Sequence, residues 1–136
     1  MSSLLCPYLS FRDTARQAME FYQQVFGGEL TLSTFGEFGM ADTPAADLIM
    51  HGQLETPSGF TLMGADTPPG MDYSPGTNIT VCLSGDEAEQ LRGYFTRLAE
   101  GGDLSVPLEK QMWGDEYGAC TDQFGIPWMA NISAAG

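Results

Sequence analysis

The chain is short of basic side chains. It has five Lys and Arg among 136 residues against 18 Asp and Glu, a formal charge of −13. That balance repels phosphate backbones and anionic lipid surfaces, which excludes nucleic acid and membrane as partners and otherwise serves solubility. Cysteine is scarce and odd in number. Cys6, Cys82 and Cys120 lie in apolar strand-like runs without C-x-x-C spacing, the pattern of reduced core thiols in a cytoplasmic protein. Met1 to Tyr8 has neither a basic start nor a long apolar run, so no signal peptide or spanning segment is expected there. Also missing are a Ser-His-Asp arrangement, a phosphate-cradling glycine loop and a dinucleotide fingerprint. Gly27-Gly28 follows a helix pattern instead of preceding one, which makes the pair a helix end and not an anion site.

What is present is a repeat. Phe21 to Leu30 (FYQQVFGGEL) is echoed by Phe95 to Leu104, with Gly27 on Gly101, Gly28 on Gly102 and Leu30 on Leu104. Gly59-Phe60-Thr61-Leu62-Met63-Gly64 is echoed by Gly125-Ile126-Pro127-Trp128-Met129-Ala130. A fainter echo sets Tyr8-Leu9-Ser10-Phe11 against Ile79-Thr80-Val81-Cys82. Three echoes in one order predict two copies of one unit, residues 1–66 and 76–136, joined by the Pro/Gly-rich linker 67–75. With 43% apolar residues the whole has material for one compact domain, whereas each half alone would be marginal.

Within each copy the patterning predicts β-α-β-β-β. The first copy reads as a strand over 4–11, broken by Pro7 and therefore suited to a sheet edge, then a helix over 14–26 capped by Asp13, and a strand over 29–35. A loop follows over 36–46, and then a hairpin of 48–55 with 60–63 around Thr56-Pro57-Ser58-Gly59. The second copy reads as a strand over 78–83, a helix over 87–100 opened by an Asp86/Glu89 capping box, and strands over 104–112, 117–121 and 126–132.

These residues resemble the vicinal oxygen chelate superfamily (glyoxalase, bleomycin resistance and extradiol dioxygenase proteins), and within it the PhnB-like branch. The resemblance runs nearly end to end through Pro7-Tyr8-Leu9-Ser10-Phe11, Phe26-Gly27-Gly28, Met50-His51, Leu62-Met63 with Asp66, and Trp113-Gly114. It is most specific in Asp122-Gln123-Phe124-Gly125-Ile126-Pro127-Trp128-Met129-Ala130-Asn131. It implies an α+β fold of two βαβββ modules whose mixed sheets curl into a cup with helices outside, and a homodimer. Metal-using members draw four ligands, usually His, Glu or Gln, from the first and last strands of each module. Carried over, those places fall near Cys6 or Pro7, at Met63, near Asn78 and at Met129. Thioethers, an amide and a thiol or proline do not hold the usual divalent ions, so neither a metal centre nor any other cofactor is expected.

His51, the single histidine, shares a strand face with Gln53 and Glu55. Residues two and four apart on a strand stand about 6.6 and 13 Å apart, too far for one chelate from this stripe alone. His51 reads either as a half-buried histidine satisfied by one hydrogen bond or as a pocket-lining general base, with Glu55 the other catalytic candidate. Met63, Met129 and Asn131 share the predicted chamber face while Trp128 turns to the second helix. Flexible thioethers suit a flat, apolar or aromatic ligand, or simply fill space. Trp113 to Tyr117 reads as an aromatic rim or a solvated turn. The expected ligand-binding set is Tyr8, His51, Gln53, Met63, Asn78, Trp113, Tyr117, Met129 and Asn131. The expected function is binding of a small organic molecule in a metal-free pocket, the alternative a metal-dependent lyase, isomerase or dioxygenase using His51 and Glu55. Nothing resembles a methyl-donor nucleotide site.

Overall fold

The computed structural model describes residues 3–134. The absence of a leader in Met1–Tyr8 therefore concerns, at residues 1 and 2, positions outside the described range. The chain divides into two compact units, Met1–Pro75 and Gly76–Gly136. Each is α+β, with one helix and one four-stranded mixed sheet.

The first unit runs β1 (Tyr8–Phe11), α1 (Ala15–Phe26), β2 (Glu29–Thr34), β3 (Ile49–Glu55) and β4 (Thr61–Asp66). Its sheet order is β1-β4-β3-β2, with β1 parallel to β4 and the other pairs antiparallel. The first strand begins at Tyr8 and not at Leu4. Pro7 has no N–H to give, and only its carbonyl joins the sheet, accepting from Met63 N–H at 3.1 Å. Ala15, Ala18, Met19, Tyr22, Val25 and Phe26 form the buried stripe of α1, as their spacing predicts. The helix ends at Gly27, whose positive φ of 75° glycine adopts without a Cβ clash.

Asp13 does not cap α1. It sits at φ 68°, the cap position falls on Thr14, and no side chain of the local sequence bonds the first turn. The cap comes from far along the chain. Asp66, 5% exposed at the end of β4, accepts from Ala15 N–H at 3.0 Å and from Ile49 N–H at 2.9 Å. One carboxylate thus satisfies the helix start and the first residue of β3 together. The 36–46 segment closes on itself, with a 3-10 turn over Gly36–Phe38 and Gly36 N–H donating to Ala46 O at 3.0 Å.

The second unit repeats the plan with β5 (Val81–Gly85), α2 (Ala88–Ala99), β6 (Asp103–Lys110), β7 (Glu116–Thr121) and β8 (Pro127–Ile132), in the order β5-β8-β7-β6. Its first strand starts at Val81, so Asn78 lies in the exposed bend before it. The Asp86/Glu89 capping box does not form. Glu87 occupies the cap position without a side-chain bond, and Ala88 N–H turns back to Asp86 O at 2.9 Å. Leu91, Tyr94, Phe95 and Leu98 are buried as the helical pattern predicts, while Ala88 is half-buried.

The repeat has a physical cause at Gly28 and Gly102. A Cβ on Gly28 would overlap the carbonyl oxygen of Glu55, and one on Gly102 would overlap that of Thr121, so only glycine lets the chain pass the hairpin at both places. The faint third echo is set in the wrong register. Strand pairing matches Tyr8 to Met63 and Cys82 to Met129, which makes Tyr8-Leu9-Ser10-Phe11 the counterpart of Cys82-Leu83-Ser84-Gly85, with Leu-Ser in common.

The Asp122–Trp128 stretch is a structural device. Asp122, 3% exposed, accepts from Phe124 N–H at 2.8 Å and Ile126 N–H at 3.1 Å through one oxygen, and from Trp128 Nε1–H at 2.8 Å through the other. Trp128 is 1% exposed on β8, the strand against which α2 packs. Of the three cysteines only Cys120 is buried, since Cys6 is half-buried and Cys82 exposed. Burial, with the Asp122 charge second, pushes the Cys120 thiol up to about 11.

Candidate functional site

A sheet with a helix on one face has a second face to offer. In the first unit the helix side carries Leu9, Phe11, Leu54, Leu62 and Asp66, all buried. By strand alternation and register the other side carries a cross-strand row of Tyr8, Met63, Gln53 and Thr31, with Ser33 and His51 paired beside it. Four expected ligand-binding residues, Tyr8, His51, Gln53 and Met63, therefore stand together on one open face.

They are also linked. Tyr8 on β1 reaches across β4 to His51 on β3, where its hydroxyl lies 3.1 Å from Nδ1, and the two ring centroids are 5.7 Å apart. His51 Nε2 lies 3.4 Å from Gln53 Oε1. Desolvation raises the Tyr8 phenol above its ordinary value, which keeps the proton on oxygen. Glu55, on the same face by alternation, is exposed at the strand end opposite Glu29. It lies two residues beyond Gln53 and takes no part in the contacts that link Tyr8, His51 and Gln53.

In the second unit the corresponding open face carries a row of Cys82, Met129 and Ala119 and a row of Ser84, Asn131 and Tyr117. Met129, Asn131 and Tyr117 share this face, as their alternation predicts, and Trp128 faces the other way. Asn131 Nδ2–H donates to Asp115 Oδ2 at 3.0 Å, and Ala134 N–H donates to Asp115 Oδ1 at 3.1 Å. These two bonds, Asn131 first, hold the Asp115 carboxyl below the usual carboxylate range. Trp113 is 62% exposed in the β6–β7 turn, and Asn78 is exposed ahead of β5. Neither is brought to the strand rows. Cys82, missing from the expected set, lies beside Met129, and desolvation raises its thiol above the ordinary range. The shared Leu-Ser was the signal that could have placed it.

Strand pairing shows which side chains neighbour one another on the two open faces. Tyr8 stands beside Met63 and Cys82 beside Met129, next to the Cys6, Pro7 and Asn78 neighbourhoods that the resemblance implies. Neither pair, a phenol with a thioether in the first unit or a thiol of raised pKa with a thioether in the second, fits a divalent ion that wants carboxylate or imidazole. Among the described residues no group of three or more His, Cys, Asp and Glu is placed to hold a metal ion.

The comparisons with known proteins agree on the architecture. Protein YjdN of Escherichia coli is 28% identical over 140 residues, covering 94% of each chain. The crystal structure of protein PA1353 from Pseudomonas aeruginosa superposes with a TM-score of 0.83 at 34% identity, covering 98% of this chain and 100% of that one. The PhnB protein from Bacillus cereus gives 0.75 at 20% identity, covering 96% and 100%, a likeness of fold. The profile of one family spans residues 7–130, and with the repeated β-α-β-β-β units it establishes that the chain belongs to the Glyoxalase/Bleomycin resistance protein/Dioxygenase superfamily.

Proposed function

We propose that the protein binds a small organic molecule against its open sheet faces, as a PhnB-like member of the superfamily that works without the usual divalent ion. The observation that carries this reading is the donor set at the paired strand positions, Tyr8/Met63 and Cys82/Met129. Thioethers there give a polarizable, adaptable floor for a flat ligand and a poor cage for a hard or borderline cation. No helix among the described residues is long and apolar enough to cross a membrane. The reading further takes the protein to be a cytoplasmic homodimer.

Metal analysis of protein purified without chelator tests it, together with melting curves across a metabolite panel. A ligand-induced rise in melting temperature with no stoichiometric metal supports binding. Stoichiometric Zn, Ni, Mn or Fe that is lost along with thermal stability in His51→Ala would overturn the reading in favour of a metal-dependent lyase, isomerase or dioxygenase.

A further inference from the structure

The linked side chains on the first unit's open face restrict the ligand more narrowly, and the restriction rests on the binding reading above. Gln53 Oε1 lies 3.4 Å from His51 Nε2, and the tautomer that satisfies this contact has its hydrogen on Nε2. In that tautomer Nδ1 is a lone pair, and the Tyr8 hydroxyl 3.1 Å away donates to it. With its only proton committed, the Tyr8 oxygen presents lone pairs alone. Tyr8 is 51% exposed, so that oxygen is within reach of a ligand.

Charge narrows the choice again. The two arginines of the first unit are Arg12 and Arg16, and neither belongs to a strand of this sheet. Arg12 donates to Met71 O at 2.8 Å and lies over the Tyr73 ring, while Arg16 is exposed on α1. Glu29 and Glu55 face each other at the end of the same sheet surface. Within the first unit an anionic group at this end of the face would meet two carboxylates.

We propose that Tyr8, its proton held by His51, is the acceptor that selects the ligand: an uncharged or cationic aromatic ring bearing an O–H or N–H donor and packed against Met63. Carboxylates and phosphonates are rejected by the same arrangement. Tyr8 acts here as a specificity residue, and His51 with Gln53 positions its hydroxyl.

Because His51 is the one histidine, imidazole ¹⁵N NMR of the full chain reports its tautomer without ambiguity. Hydrogen on Nε2, lost or averaged in Gln53→Ala, is the expected result; hydrogen on Nδ1 in the parent protein overturns the proposal. Three probes then test selection by titration against ¹³C-methyl methionine signals, with Met63 assigned through Met63→Leu: p-cresol, 4-methylanisole and p-toluate. The expected outcome is that p-cresol binds best and that Tyr8→Phe weakens it about fivefold, the worth of one hydrogen bond, while leaving 4-methylanisole unchanged. Equal binding of p-cresol and 4-methylanisole, or tight binding of p-toluate, sinks the proposal and leaves the binding reading standing. No movement of the Met63 signal with any probe sinks both.

Discussion

Removing the Asp122 carboxylate should be among the most damaging single changes in the second unit, and its size follows from three bonds. Asp122→Ala leaves the Phe124 and Ile126 amides and the Trp128 indole N–H without their acceptor. The two backbone amides sit at a turn that water can reach in part, whereas the indole is on a side chain 1% exposed. A buried donor left unpaired costs about 1–3 kcal/mol, and bonds to a charged acceptor contribute about 1.5–3 kcal/mol each. Allowing for partial rehydration at the turn, the loss should be about 3–5 kcal/mol, a large share of the 5–15 kcal/mol that holds a typical domain. Trp128→Phe removes the donor and some packing, so the double variant isolates the pair. The coupling energy between the two substitutions should be about 1.5–3 kcal/mol. Urea unfolding of the parent, both single variants and the double variant measures it, provided the m-value stays constant. An Asp122→Ala loss below about 1 kcal/mol, or a coupling below about 0.5 kcal/mol, would refute the claim that this carboxylate organises the final hairpin.

Asp66→Ala should lower stability by about 2–4 kcal/mol, because it deprives two backbone donors. Amide exchange should show the loss locally, with Ala15 and Ile49 losing protection beyond other core amides. Asp115 is held low in the folded state, so its contribution to stability is complete above the ordinary carboxylate range and is lost as pH falls through its depressed value. The acid limb of a melting-temperature profile below about pH 4 should therefore be shallower in Asp115→Asn than in the parent. The Cys120 thiol, buried and pushed up to about 11, should resist iodoacetamide at pH 8 until the unit unfolds, while exposed Cys82 reacts in the native state. Mass spectrometry of timed digests distinguishes the two, and native labelling of Cys120 would contradict its placement.

How much of this could be read from the chain depended on whether the cause was local. The α1 stripe from Ala15 to Phe26 is periodic, and the packed face follows from period alone. Gly28 and Gly102 declared themselves by recurrence, although the reason, a hairpin carbonyl where a Cβ would sit, is a contact between residues far apart in sequence. The local cap candidates failed in both helices, and in α1 the reason is visible. Asp13 and Asp86 are good local candidates, but the α1 cap is supplied by Asp66, 51 residues from Ala15, and no periodicity reports such a pairing. Alternation put His51 and Gln53 on one face, and family likeness put Met63 on the chamber face and Tyr8 in the expected ligand set. The link from Tyr8 to His51 was hidden, because it crosses an intervening strand whose register is set only when the sheet forms. Asn78 was placed at a strand start that falls instead at Val81, while Trp113 lies in the exposed turn that its neighbours suggest.

The placement of Asp66 bears on how the first unit is born. While the ribosome is still adding residues before position 66, the opening turn of α1 and the amide that begins β3 both lack the group that will bind them. When that residue emerges, helix and sheet lock in a single event. Early intermediates of this half should accordingly be scarce, and a fragment stopping short of it should show a frayed helix instead of a smaller version of the finished unit.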